Sequence, residues 1–250
     1  MSAPALGLPR LHLRRTDSTN ERARELAAAG APHGTLVTAA EQSAGRGRQG
    51  RTWSAPAGSS LLMSLVLAPP TRLLPLAAAV AVCDAVDAAP GAELRPAAQI
   101  KWPNDVVFPK ATGLAKLAGI LIEARPQESW AVLGIGLNVA VGLDQLPEEL
   151  RDTAATLGLD REAVEPLLEA LLAALSRRLA EPAEATLAAW ERRDALTGRR
   201  VRWSPPASGG AAEGEGVARG IDGDGRLVVA LDGGGQTALG SGEVHLQPLG

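Results

Sequence analysis

The hydrophobic positions of the chain change period several times, and each change marks an element. Leu11 and Leu13 alternate with polar neighbours and open a strand. From Glu21 to Gly30 the apolar face is built from Leu26 and alanines, which predicts a helix with Ser18 or Thr19 as N-cap and Gly30 as its stop. Thr35–Ala40 is a short strand, and the unbroken apolar run Leu61–Leu67 reads as a strand covered on both faces. Pro75–Ala89 forms a helix with an almost continuous apolar surface, closed by Pro90–Gly91. Gln99–Trp102 and Asp105–Phe108 read as one strand interrupted at the Pro103–Asn104 turn. Lys116–Glu123 and Trp130–Val139, joined by a polar turn around Pro126, Gln127 and Glu128, predict a hairpin at the centre of a sheet. Residues 162–180 and 183–195 are helical, and the stripe Leu167, Leu168, Leu171, Leu172, Leu175 and Leu179 is a packing face.

After Leu196–Thr197–Gly198 the pattern becomes short strands divided by glycine turns. Arg199–Trp203, Gly216–Ile221, Leu227–Leu231 and Gln236–Leu239 are separated by PPASGG, DGDG and DGGG. Asp–Gly pairs favour tight hairpins, so this tail predicts a small β-barrel beside a larger α+β unit with a mixed β-sheet and flanking helices. The expected boundary divides residues 1–196 from 197–250. Asp222–Gly223–Asp224–Gly225 opens like a calcium loop, but Arg226 and Gly233 occupy ligand positions of that loop, so it is a turn.

Composition narrows the function classes. A net charge of −3 over 250 residues argues against a protein that coats nucleic acid. Cys83 is the only cysteine and lies among alanines, so it reads as a small buried hydrophobe and not as a disulfide or metal ligand. His12, His33 and His245 are scattered without zinc spacing. The residues before the first strand lack the charged, apolar and small-residue pattern of a secretory signal, so none is expected there, and the longest apolar stretch, Leu73–Ala89, is interrupted by Pro75, Asp84 and Asp87. A cytoplasmic protein with no membrane partner is expected, either monomer or homodimer.

Positive charge is instead local. Glu41–Trp53, EQSAGRGRQGRTW, holds three glycines and three arginines, a backbone that can approach an anion closely and planar cations to pair with it. Gly45, Gly47 and Gly50 fit a dinucleotide fingerprint, but no helix follows and no acid stands near position 70. A P-loop would need lysine where Arg51 stands. An arginine patch for nucleic acid would need further basic residues and aromatics that the chain lacks. Ser18, Thr19 and Asn20 either only cap the first helix or also grip a polar head group. Lys101–Trp102–Pro103–Asn104–Asp105, Lys116–Leu117–Ala118–Gly119 and Gly134–Ile135–Gly136–Leu137–Asn138 each place a cation or amide at a strand end. Together with the arginine loop they point to an enzyme that uses a nucleotide.

In this order, DSTNE, GRGRQGRTW, KWPNDV, KLAGILIE and GIGLNV resemble the motifs of biotin protein ligases, strongly from residue 16 to about 140. The tail resembles, more loosely, their small SH3-like C-terminal barrel. The resemblance implies ATP-dependent formation of biotinyl-5′-AMP, magnesium accompanying ATP, and transfer of biotin to a lysine of a biotin carboxyl carrier protein. It implies that Lys116 and Arg48 are catalytic, and that Ser18, Thr19, Asn20, Gln42, Arg46, Gly47, Arg48 and Lys116 hold biotin. Gly45, Arg46, Arg48, Trp53, Lys101, Asn104, Asp105 and Asn138 are expected at the nucleotide, with Asp105 near magnesium or a cationic partner. The metal ligands themselves are unknown. The arginine loop is expected to order over the ligand. Seventeen residues precede Ser18, too few for the winged-helix domain of the repressor members, so a monofunctional ligase without nucleic-acid binding is expected. A lipoate ligase is the nearest alternative, and a nucleic-acid-binding regulator a more distant one.

Overall fold

The computed structural model describes residues 6–124, 127–204, 212–240 and 245–248. Strands β1 (Arg10–Leu13) and β2 (Leu36–Ala39) flank helix α1 (Thr19–Ala28). The arginine loop folds back on itself as β3 (Gly45–Arg46) and β4 (Thr52–Trp53). Next come β5 (Ser60–Leu67), α2 (Leu74–Asp87), β6 (Gln99–Lys101), β7 (Asp105–Lys110), β8 (Gly113–Ala124) and β9 (Ala131–Asn138). Short α3 (Glu148–Arg151) precedes α4 (Val164–Ala180) and α5 (Ala183–Glu191). The tail contains β10 (Arg200–Ser204), β11 (Gly214–Ile221), β12 (Leu227–Leu231), β13 (Gln236–Leu239) and β14 (His245–Pro248).

Seven strands form one sheet in the order β1-β2-β5-β9-β8-β7-β6, antiparallel except for the β1–β2 pair. Because side chains alternate across a strand, each strand feeds both faces. Leu61, Met63, Leu65, Leu133, Ile135 and Leu137 join α2, α4 and α5 in the main core. The intervening positions carry a different residue set. Val66 and Val132 pack under Ala23 and Ala27 of α1, and further along the same face stand Ser64, Ser60, Gly134, Gly136 and Asn138, paired Ser64 with Gly134 and Ser60 with Asn138. One face of the sheet is thus mostly apolar; the other mixes serines, glycines and Asn138 with Leu62 and Leu121 beyond α1, leaving space for a site.

The leucine stripe of α4 packs as expected, with Leu167, Leu168, Leu171 and Leu175 buried, and Cys83 is fully buried in α2. Three segments differ from the periodicity reading. Gln99–Phe108 is not one interrupted strand but two antiparallel strands, with Lys101 opposite Asp105. Helix α5 stops at Glu191 because Arg193 and Ala195 leave it to pair with Ile100 on the outer edge of β6, through bonds of 2.7 and 2.9 Å. Strand β14 has no counterpart in the periodicity reading. Part of the β8–β9 turn and the PPASGG turn lie outside the described residues.

The tail strands form an antiparallel sheet in the order β13-β12-β11-β10-β14, the last strand returning beside the first. Its Asp222–Arg226 turn is closed by the Asp222 carboxylate, which accepts from the backbone N–H groups of Asp224 and Arg226. That turn seats on the larger unit, where the Trp102 indole N–H donates to the Gly225 carbonyl at 3.0 Å and Arg72 donates to the Gly223 carbonyl at 2.9 Å. Among the described residues no helix is long and apolar enough to cross a membrane.

Candidate active site

A cleft of about 420 Å³ opens on the polar face of the sheet. Every residue that the sequence named for the site lines it, with the exception of Gly45, which belongs to the outer side of the arginine loop.

At one end a hydroxyl and amide cluster is preassembled. The Ser18 backbone is extended and starts α1, yet its side chain makes no cap. The free end of the helix is instead bound by Gln42, whose Oε1 accepts from the Thr19 N–H at 2.7 Å and the Thr19 hydroxyl at 3.1 Å. Asn20 reaches under α1 to the sheet: its Nδ2 donates to Glu123 Oε2 at 2.8 Å, and its Oδ1 lies 2.6 Å from the Ser64 hydroxyl. Glycine at position 134 is required there, because a Cβ would occupy the Asn20 amide. Ser18, Thr19, Asn20 and Ser64 are all buried, so the cluster presents donors and acceptors held by one another.

The middle of the cleft is floored by backbone. Trp53 lies on Gly136, where a Cβ would come within 2.6 Å of its ring, and its far edge reaches Gly119. Its indole N–H is buried without a partner among the described residues. Lys116 Nζ stands 5.8 Å from the Trp53 ring centroid, close enough for a cation–π contact, and 2.7 Å from Asp105 Oδ1 as a charge contact that is not aligned as a hydrogen bond.

Cations gather at the other end. Arg48 donates to Asn104 Oδ1 at 3.1 Å, and the Asn104 amide in turn donates to the Ile120 carbonyl at 2.9 Å. Burial pulls the Arg48 guanidinium below its ordinary value, against Asp105, which favours its charge. Burial likewise lowers Lys101; Asp105 opposes the shift, while Lys116 and Arg51 add to it. Desolvated cations held near one another are the arrangement that an incoming polyanion relieves. Asn138 is buried with its amide already used, donating to the Ala155 carbonyl at 2.9 Å and accepting from Ser60 at 3.3 Å. It ties the segment after β9 to the cleft, where Lys116 also pairs through its backbone with Thr153 and Ala155.

Sequence reasoning left out Ser64, Arg51 and Thr153, all of them at or beside the cleft. Ser64 had a signal, a lone hydroxyl in an apolar run, and Arg51 one in the loop itself; Thr153 had none. Asp105 is the only carboxylate among the described lining residues, and no three metal-ligating side chains gather among the described residues.

The model of the biotin/lipoate A/B protein ligase family matches residues 12–139, the stretch that carries the mixed sheet, the short helix α1 and most of the cation-rich face, and the chain belongs to that family. Among its relatives, the biotin–[acetyl-CoA-carboxylase] ligase of Mycobacterium tuberculosis is 41% identical over 93% of this chain and 87% of its own, and that of Paracoccus denitrificans is 38% identical over 87% and 92%. The bifunctional ligase/repressor BirA of Bacillus subtilis is 40% identical, but the chain covers only 43% of its length. Among solved structures, the biotin protein ligase of Aquifex aeolicus in complex with biotin and ATP superposes with a TM-score of 0.76 at 27% identity, over 96% of this chain and 99% of that one.

Proposed function

We propose that the protein is an ATP-dependent biotin protein ligase. In this reading it joins biotin to AMP as biotinyl-5′-AMP and transfers the biotinyl group to a lysine of a biotin carboxyl carrier protein. The observation that carries the reading is the polarity of the cleft: a donor–acceptor cluster at Ser18–Asn20 and Gln42, backed by Ser64, at one end, and Arg48, Arg51 and Lys101 at the other, with Lys116 and Asp105 between. Biotin has a matching shape, a urea-like ring that needs both donors and acceptors and a chain that ends in a carboxylate. The named complexes of the Aquifex ligase with biotin and ATP support the choice of substrates.

In the first step the carboxylate oxygen attacks the α-phosphorus and the bond to pyrophosphate breaks. Two anions must meet, so fixed cations supply most of the catalysis; Arg48 and Lys116 flank the junction and Lys101 the leaving phosphates. In the second step the carrier amine attacks the biotinyl carbonyl, AMP leaves, and Lys116 stabilises the developing oxyanion. Magnesium would accompany ATP as its counter-ion, and Asp105, the one carboxylate among the described lining residues, would be the side chain to hold it or a cationic partner. Residues 197–250 are the appended barrel domain in this reading, and the larger unit the catalytic one.

Incubation with ATP and either biotin or lipoate, followed by pyrophosphate release, tests the assignment. Biotin is expected to support release and, with a carrier domain present, to appear on the carrier; release with lipoate alone would move the protein to the other branch of the family.

A further inference from the structure

The hairpin formed by β3 and β4 has a two-rung ladder, Gly45 with Trp53 and Arg46 with Thr52. An isolated ladder of that size has little stability of its own in water, so contacts outside it must hold the loop over the cleft. Trp53 on Gly136 and Arg48 on Asn104 are two of these, and both lie within the cleft. A third joins a lining residue, Arg46, to partners outside the cleft. Arg46 Nη1 lies 2.7 Å from Glu21 Oε2 on the first turn of α1 and 3.8 Å from Glu123 Oε1 on β8. Neither carboxylate lines the cleft. Their side chains are only 17% and 26% exposed. Arg24 reaches the same two acids, so the arrangement is two carboxylates facing two guanidiniums, drawn from a helix, a strand and the loop.

We propose that Arg46, Glu21 and Glu123 form the fastener of the arginine loop: the ion pair positions the loop in its closed form and sets how long the adenylate stays bound. The second half rests on the ligase reading above; the first does not. Glu21 and Glu123 are positioning residues outside the cleft lining; Glu21 acts through Arg46, while Glu123 also holds the Asn20 amide, so the test is made at Glu21. Opening the loop would take one of the two guanidiniums from the half-buried acids, leaving Glu21 to Arg24 and Glu123 to Arg24 and the Asn20 amide, and that loss favours closure.

The test uses the full chain and two readouts. Trypsin cleavage after Arg48, which is half-buried and bonded to Asn104 in the closed loop, reports opening, and the escape of biotinyl-5′-AMP from a preloaded enzyme follows the same opening. Glu21→Gln is expected to raise both rates by roughly 2- to 5-fold, the range for loss of one partly exposed ion pair, with a smaller effect on the first-turnover rate of pyrophosphate release. Glu21→Asp should fall between the two, and it serves if the glutamine variant folds poorly. Arg46→Gln combined with Glu21→Gln should be no faster than either alone. Unchanged cleavage in both Glu21 variants, or additive effects in the double variant, would overturn the fastener. If the native protein forms no adenylate from biotin and ATP, the ligase reading fails, and the cleavage arm still decides the fastener.

Discussion

Lys116 meets the Asp105 carboxylate and the Trp53 ring through its side chain, and Thr153 and Ala155 through its backbone. The backbone bonds fix the strand whatever the side chain, so Lys116→Ala should leave the thermal midpoint nearly unchanged. Biotin transfer should fall about 100- to 1,000-fold, as for removal of one oxyanion donor; near-normal carrier labelling would refute the role. Lys101 predicts a pH dependence. Its folded-state pKa lies below the ordinary 10.5, chiefly through burial, so between that lowered value and 10.5 the unfolded chain binds the proton better. Its charge therefore opposes folding at neutral pH, and the opposition eases as pH rises through the window. Bound phosphates favour the charged form, so KM for ATP should climb as pH passes the lowered value. In Lys101→Arg the climb should move to higher pH; identical profiles would exclude Lys101 as the titrating group.

Elements were legible in the sequence where period and length agreed. Strand β5, helix α2 and the β8–β9 pair all stand within a few residues of the periodicity reading. The β6–β7 hairpin escapes that reading because Pro103–Asn104 signals a turn without saying whether the chain continues or reverses, and the reversal is set by long-range pairing with β8. The motif residues were legible because charge and glycine are unusual on apolar strands. Asn20, by contrast, announces only a helix start; that it reaches a glycine on β9 depends on the sheet register. The docked Asp222–Arg226 turn is a further contact no local pattern announces, and it braces Trp102 between Lys101 and Asn104. Trp102→Phe removes one hydrogen bond, about 1 kcal/mol net, and should raise KM for ATP more than KM for biotin. Equal changes in both would show that the brace serves general stability alone.

At the scale of the molecule, the face opposite the cleft is held by a charge knot. Asp84 of α2 receives Arg177 and Arg178 from α4 at 2.9 and 2.8 Å and Arg193 from beyond α5 at 3.2 Å. Cys83, next along α2, has its thiol pushed up to about 12 by burial. Asp84→Ala would remove the carboxylate the three guanidiniums share, leaving Arg178 to Glu181 and Arg193 to Asp87, and should cost roughly 1–2 kcal/mol of stability, read as a lowered midpoint in urea with kcat unchanged. A variant that lost activity while keeping its midpoint would place Asp84 in the reaction and not in the scaffold.

The loop that carries Arg46, Arg48 and Trp53 leaves the sheet after β2 and returns to it at β5, two strands that are already neighbours. Its base is tied by the Gly58 N–H donating to the Ala40 carbonyl at 2.7 Å. Swinging the loop therefore breaks no rung of the large sheet. Amide hydrogen exchange should separate two populations along this stretch, with residues 45–53 exchanging through local opening and residues 36–39 and 60–67 only through global unfolding. Ligand would then slow the first group without changing the order of the second, so a handle that moves independently of its frame can be timed amide by amide.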